Sequence, residues 1–181
     1  MKKFAFIAMA ALAMTFVACG NQNGANNSAD KKEKATKEVA YKTYTNEKYG
    51  FTVEIPETMT QRGEAMGEEG TVFSLEDENS AVTFNRIDIS GSEQIFGEDY
   101  TIEGVKESLA EWRDFSEFSS QETGDNYFTS TTLGQYVNEI DHIVVNGPIM
   151  VSIAVCYDPE HEKELGGEVA EHVFKSVKFT R

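Results

Sequence analysis

The side chains with the most chemical reach are two cysteines, Cys19 and Cys156, and three histidines, His142, His161 and His172. A thiol nucleophile needs an imidazole beside it and a third group to orient that imidazole. Asn146-Gly147, set between Ile143-Val144-Val145 and Ile149-Met150-Val151, predicts a hairpin. If Val145 faces Pro148, His142 lies opposite Val151, and Cys156 falls about five residues farther on, roughly 15 Å away at strand rise. Cys156 therefore reads as a small core residue rather than a nucleophile. His161, Glu164, Glu168 and His172 recur near helical spacing and could share a face able to hold zinc. The order is not HExxH, and Gly166-Gly167 interrupts it, so a solvated acidic helix face is the reading adopted. Glu68-Glu69 and Glu76-Asp77-Glu78-Asn79 offer oxygen ligands without EF-hand spacing and read as acidic turns. Gly63, Gly67 and Gly70 sit among acids that would repel a phosphate, and no GxSxG, P-loop or Rossmann glycine pattern occurs. With 28 acids in the last 141 residues, a carboxylate pair for glycoside hydrolysis is a matter of geometry alone. No catalytic residue, metal ligand or cofactor is assigned.

Cys19 has a different context. Residues 1–18 open with Lys2 and Lys3, run on through Phe4 to Met14 as an apolar stretch, and contain no acid. That is the layout of a secretory signal, too short for a stop-transfer helix. Phe16-Val17-Ala18-Cys19-Gly20 resembles a bacterial lipobox, in which small residues precede a cysteine that is acylated and becomes the new N-terminus. Phe16 departs from the commoner Leu three residues before the cysteine. The resemblance implies lipidation at Cys19 by palmitate-type chains. Each buried CH2 contributes about 0.8 kcal/mol, so two or three chains hold stably where one is marginal. Gly20 is not the Asp that retains lipoproteins at the inner membrane of enteric bacteria, which favours the outer membrane.

The elements that would position these residues follow from composition. Residues 20–40 (GNQNGANNSADKKEKATKEVA) hold only five apolar residues and a net charge of +1, so residues 19–40 read as an acylated cysteine and a flexible tether. Twenty-one such residues span roughly 25 Å r.m.s.. Residues 41–181 carry 51 apolar residues, enough for one core, with no repeat and no second linker. Their 10 basic and 28 acidic residues give −18, whereas the whole chain stands at −15. Nucleic acid is excluded, since phosphate neutralisation needs clustered Lys and Arg. A protein or small-ligand partner is expected to be basic, cationic or neutral.

Within the domain, Phe51, Val53 and Ile55 alternate with polar residues before Pro56 and predict a strand. Residues 71–76 and 81–90 predict a hairpin, with a bulge or bend near Asn85-Arg86 where the apolar phase changes. Thr101 is placed to cap a helix bearing Ile102, Val105, Leu109 and Trp112. Residues 115–122 and 127–133 predict strands. Residues 149–157 are apolar or small on both faces, as in a central covered strand. Asp158, followed by Pro159, starts a last helix with Leu165, Val169 and Val173 inward, weakened at Gly166-Gly167. The class is α+β on an antiparallel sheet.

Tyr49-Gly50-Phe51 entering a strand that ends at Ile55-Pro56, a mid-chain helix, a long hairpin, and a last helix running into Phe174-Lys175-Ser176-Val177-Lys178-Phe179 together resemble the PsbP-like superfamily. The resemblance spans about residues 44–179, and Met59 stands near the position where that family often has an aromatic. It implies an α/β/α sandwich around a twisted antiparallel sheet, generally without catalysis. The function expected is a membrane-anchored lipoprotein of the bacterial cell envelope with a non-catalytic binding domain. The alternative is an envelope hydrolase or metal-dependent enzyme using histidines and acids.

Overall fold

The structure, a computed structural model, describes residues 39–64, 70–75, 85–93, 100–111 and 113–180. Lys37–Arg181 forms one compact unit. The lipobox, the tether up to residue 38, the acidic runs at 68–69 and 76–79, Gly67, Val82, Phe84 and Trp112 all lie outside the described residues.

The strands are β1 (Tyr41–Asn46), β2 (Phe51–Pro56), β3 (Met59–Glu64), β4 (Gly70–Leu75), β5 (Arg86–Glu93), β6 (Ser120–Thr123), β7 (Tyr127–Leu133), β8 (Asn138–Asn146), β9 (Ile149–Tyr157) and β10 (Lys178–Phe179). The helices are α1 (Ile102–Ala110), α2 (Glu162–Leu165) and α3 (Gly167–Lys175). Seven strands form an antiparallel sheet in the order β3-β4-β5-β9-β8-β7-β6, which places β9 at its centre as its two-sided apolar character requires. The short strands β1, β2 and β10 form a second antiparallel sheet, which was not expected from the sequence. The α+β class with helices on an antiparallel sheet is as expected.

Alternation along the strands divides the large sheet into two faces. On one, Ile87, Ile89, Val151, Ile153 and Val155 join Phe51, Val53 and Ile55 of the small sheet and Leu165, Ala170 and Val173 of α2 and α3 in the main core. On the other, Phe128 and Val145 pack against Ile102 and Val105 of α1. The small sheet and its β1–β2 turn come close to the large sheet at Gly91, where a Cβ would stand 2.6 Å from Tyr49 Cδ2 and 2.9 Å from Phe51 Cε1. Only a residue without a side chain lets the layers approach that far.

Local chemistry accounts for the elements and for the departures from expectation. Thr101 Oγ1 accepts the Gly104 N–H and caps α1 as its position suggested. A bend stands at Asn85 before β5 begins at Arg86. The strand expected from Phe115 is a short 3-10 turn over Phe115–Glu117, because the Asp114 carboxylate accepts the Ser116 N–H and closes a turn. Extended pairing starts only at Ser120. The last helix is broken: Asp158 caps a 3-10 turn at Pro159–His161, α2 follows, and α3 restarts at Gly167 (φ +44°) after Gly166 (ψ −176°). Leu165, Val169 and Val173 nevertheless all face inward.

Candidate ligand-binding groove

The hairpin between β8 and β9 turns on Gly147-Pro148, with Gly147 at φ +57° in the first central position, as a type II′ turn demands. Asn146 therefore pairs with Ile149, and the register lies two residues from the expected one. His142 stands opposite Ile153, not Val151, and Cys156 stands opposite Glu139. One residue in this register fixes which face a side chain takes. Cys156 shares the α1 face with Arg86 and Glu139, its partners in register, whereas His142 shares the α3 face with Ile153 and Thr129. The sheet itself separates thiol from imidazole. Burial, then the Glu139 charge, pushes the Cys156 thiol up to about 12, so it stays protonated and unreactive at neutral pH.

His161 and His172 are also kept apart. His161 lies in the 3-10 turn with Nδ1 2.9 Å from Asp158 Oδ1. His172 lies on α3, with Nε2 2.8 Å from Glu54 Oε2 of β2 and its ring stacked on Tyr41 at 3.8 Å. The glycine break between α2 and α3 prevents one continuous face, and Glu164 and Glu168 point to solvent. Among the described residues no three His, Cys, Asp or Glu converge as a metal ion would require. Asp158 is held below the usual carboxylate range by the bond from Asn85 and then by His161.

What the α3 face does build is a groove of about 650 Å³ between β7, β8 and α3. That is within the size range of small-ligand sites. His142 forms its floor and is nearly buried, at 7% exposure. The imidazole stacks on Phe174 with centroids 4.6 Å apart and planes within 9°, and Tyr127 flanks it at 5.5 Å. Thr129 Oγ1 lies 2.8 Å from His142 Nδ1. Burial lowers the His142 pKa to about 4, with Glu122 opposing, so the ring is neutral at physiological pH. Ile140, Val144, Val177 and Phe179 supply apolar walls. The rim is polar: Tyr127 donates its hydroxyl to Glu122 Oε1 at 2.6 Å, and Lys175 pairs with Glu171. A neutral imidazole with one nitrogen engaged by Thr129 is a hydrogen-bonding group and an aromatic surface, but a weak base.

The sequence marked His142 but not its companions. Their signal was alternation: Tyr127 and Thr129 on one strand, and Ile140, His142 and Val144 on the next, occupy one face by parity. Phe174, Val177 and Phe179, from beyond β9, were out of reach of that reasoning.

No protein-family model and no curated protein sequence matches the chain. Solved structures do. Cyanobacterial PsbP (CyanoP) from Synechocystis superposes with a TM-score of 0.57 at 12% identity, over 80% of this chain and 95% of that one. A crystal structure from Bacteroides thetaiotaomicron gives 0.53 at 15% identity over 77% of this chain, and the match spans about half, 48%, of that longer protein. LpqN, involved in cell envelope biogenesis of Mycobacterium tuberculosis, gives 0.41 at 10% identity over 80% and 93% of the two chains. At these identities the likeness concerns the fold and not the activity. The antiparallel sheet with helices on it, matched along nearly the whole of CyanoP, is a PsbP-like fold.

Proposed function

We infer that this protein is a lipid-anchored lipoprotein of the bacterial cell envelope whose PsbP-like domain binds a ligand in the His142 groove and catalyses no reaction. The observation that carries the reading is the groove itself: a concave, mainly apolar site with a neutral histidine on its floor. The other candidates for chemistry support it, because each is committed elsewhere. His161 is held by Asp158, His172 by Glu54 and Tyr41, and the Cys156 thiol is buried and protonated. The ligand class follows from the lining. An aromatic or apolar body suits Phe174, Tyr127 and Val177, and the acidic rim and the domain charge of −18 favour a neutral or cationic compound over an anion.

The anchor rests on the lipobox-like run before Cys19, with Gly20 favouring the outer membrane and residues 20–40 serving as spacer. Replacing Cys19 by Ala is expected to abolish incorporation of a fatty-acid analogue and to move the protein from the membrane to the soluble fraction. Labelling that persists in the variant overturns the anchor.

The groove is tested on that released variant with N-phenyl-1-naphthylamine, a neutral aromatic probe whose fluorescence rises in apolar surroundings. Saturable enhancement is expected. Val177→Trp, which extends a half-buried side chain into the groove, is expected to weaken it at least about tenfold, or about 1.4 kcal/mol. An unsaturable response, or one indifferent to Val177→Trp, removes the groove as the binding site.

A further inference from the structure

Charged side chains on the α1 face of the large sheet pair with one another. Arg113 Nη1 donates to Asp141 Oδ2 at 2.7 Å, and Arg86 Nε donates to Asp88 Oδ2 at 2.9 Å. The hairpin that joins β7 to β8 is built differently. Residues 132–138 (TLGQYVN) carry no charge, in a domain of net −18. Leu133 pairs with Asn138, and the Gly134 N–H donates to Val137 O at 3.1 Å, so Gln135 and Tyr136 form the apex. Tyr136 is 76% exposed and Leu133 61%, the two most exposed large hydrophobic side chains among the described residues. Val137 beside them is half-buried. Apolar side chains gathered at an uncharged apex are poorly hydrated and favour a surface that takes them up.

Register and side-chain contacts show which end of the domain carries the apex. Leu133 of β7 stands opposite Asn138 of β8, and Asn138 stands opposite Tyr157 of β9. The Tyr157 hydroxyl accepts from Asn138 and donates to Glu162 of α2. Helix α3 follows α2 directly, and its His172 ring stacks on Tyr41 at the start of β1. Across the sheet the same row continues: Asn85 O accepts the Leu75 N–H, and Leu75 stands opposite Met59. Met59 O accepts from Lys42 Nζ, and the Glu57 N–H donates to Ala40 O at 2.8 Å. Both routes lead from the apex to the end at which residues 39 and 40 join the domain.

We propose that the β7–β8 apex is a second contact with the lipid bilayer, in which Tyr136 and Leu133 enter the interface of a zwitterionic phospholipid surface. The proposal rests on the Cys19 anchor and goes beyond it, because an anchor followed by a flexible tether fixes no orientation. A tyrosine suits the interface, with an apolar ring and a hydroxyl that stays wet. No charge has to leave water when the apex enters. A few apolar side chains hold a membrane weakly by themselves. The tether offsets this by keeping the domain at high effective concentration over the surface. Exposed Glu57 and Glu160 follow β2 and β9 at the same end and are repelled by anionic headgroups, which selects the zwitterionic surface.

The test supplies the tether chemically. The chain from residue 20, which keeps the whole compact unit Lys37–Arg181, is held by an N-terminal hexahistidine tag on phosphatidylcholine vesicles containing a nickel-chelating lipid. Tryptophan is placed at the apex by Tyr136→Trp, or at the other end of β8 by Asn146→Trp, and the unsubstituted chain gives the Trp112 background. Brominated phosphatidylcholine is expected to quench the emission added by Tyr136→Trp and to spare that added by Asn146→Trp. Adding Leu133→Glu to Tyr136→Trp is expected to reduce the quenching at least about threefold. Partial replacement of the phosphatidylcholine by phosphatidylglycerol is expected to reduce it as well. No added quenching with Tyr136→Trp, equal quenching at both positions, indifference to Leu133→Glu, or stronger quenching on phosphatidylglycerol overturns the proposal. Because the chelating lipid takes the place of the acyl chains, failure of the Cys19 anchor registers in the fatty-acid labelling and not here.

Discussion

Phe51→Ala is expected to lower the free energy of unfolding by about 3–5 kcal/mol. Phe51 is fully buried and sits where three constraints meet. Its backbone is the first residue of β2, paired with Asn46 of β1 on one side and with Phe179 of β10 on the other. Its ring is in edge contact with Tyr44, with centroids 6.3 Å apart. The same ring reaches across to the large sheet at Gly91, so truncation opens a void between two rigid layers rather than at a surface that can collapse. Partial relaxation is what reduces the cost of such cavities, and paired strands on both sides of the void resist it. Urea unfolding of the two proteins, read as the change in midpoint at constant m, checks the value. A loss under about 1 kcal/mol would mean that the layers are not packed as closely as the Gly91 contact indicates.

The second large effect is on pH dependence. His142 is neutral in the folded protein down to pH about 4, whereas in the unfolded chain it titrates near its ordinary value of 6.5. Between those two values the unfolded chain takes up a proton that the folded one refuses. The contribution of His142 is therefore complete above pH 6.5 and is lost progressively as the pH falls towards 4, at about 1.4 kcal/mol per pH unit, or about 3 kcal/mol in all. His142→Gln removes the titrating group. Its unfolding free energy, followed from pH 7 to pH 4, should fall less steeply than that of the parent by that amount, whatever the offset between the two at pH 7. Parallel curves would show that the imidazole is solvated enough to charge in place. The comparison with the variant is what isolates the effect, since the many carboxylates of the domain titrate in the same range and cancel between the two proteins.

Much of the fold could be read from the chain because its signals are local. Asp158-Pro159 and Thr101 are each a cap whose physics involves a few neighbouring residues, and each stands where its chemistry placed it. The register of the β8–β9 hairpin was missed by two residues because Asn-Gly suggested a turn centred on those two, while Pro148 is a central residue and Asn146 the last of the strand. Phe115 and Phe118 suggested a strand by hydrophobicity alone, and the Asp114 side chain overrode that preference. The second sheet was invisible because β10 is two residues long and reaches β2 from the far end of the domain. The candidate sites suffered most from distance. The placement of Asp88 beside Asp141 across Ala154 exists only once β9 lies between β5 and β8. Arg113 was passed over for the same reason: its partners are 26 and 28 positions away in the chain.

Strand β1 lies at the rim of the small sheet, laddered among the described strands to β2 alone, with Lys42 Nζ donating to Met59 O of β3, and its first residue, Tyr41, pairs with Pro56. The turn joining β1 to β2 is at the other end, after Asn46. Tension arriving through the preceding residues therefore meets the open end of a hairpin. Pulled outwards there, Tyr41–Pro56 parts first and the remaining pairs follow one at a time towards Asn46–Phe51, instead of yielding together in shear. β2 is still held by β10 and by the bond from its Glu54 N–H to Ser176 Oγ, so peeling frees the six residues of β1, at the cost of the Tyr44 contacts with Phe51 and Phe73, while β2 stays in place. Under a pull from that end, the edge strand would yield before β2 does.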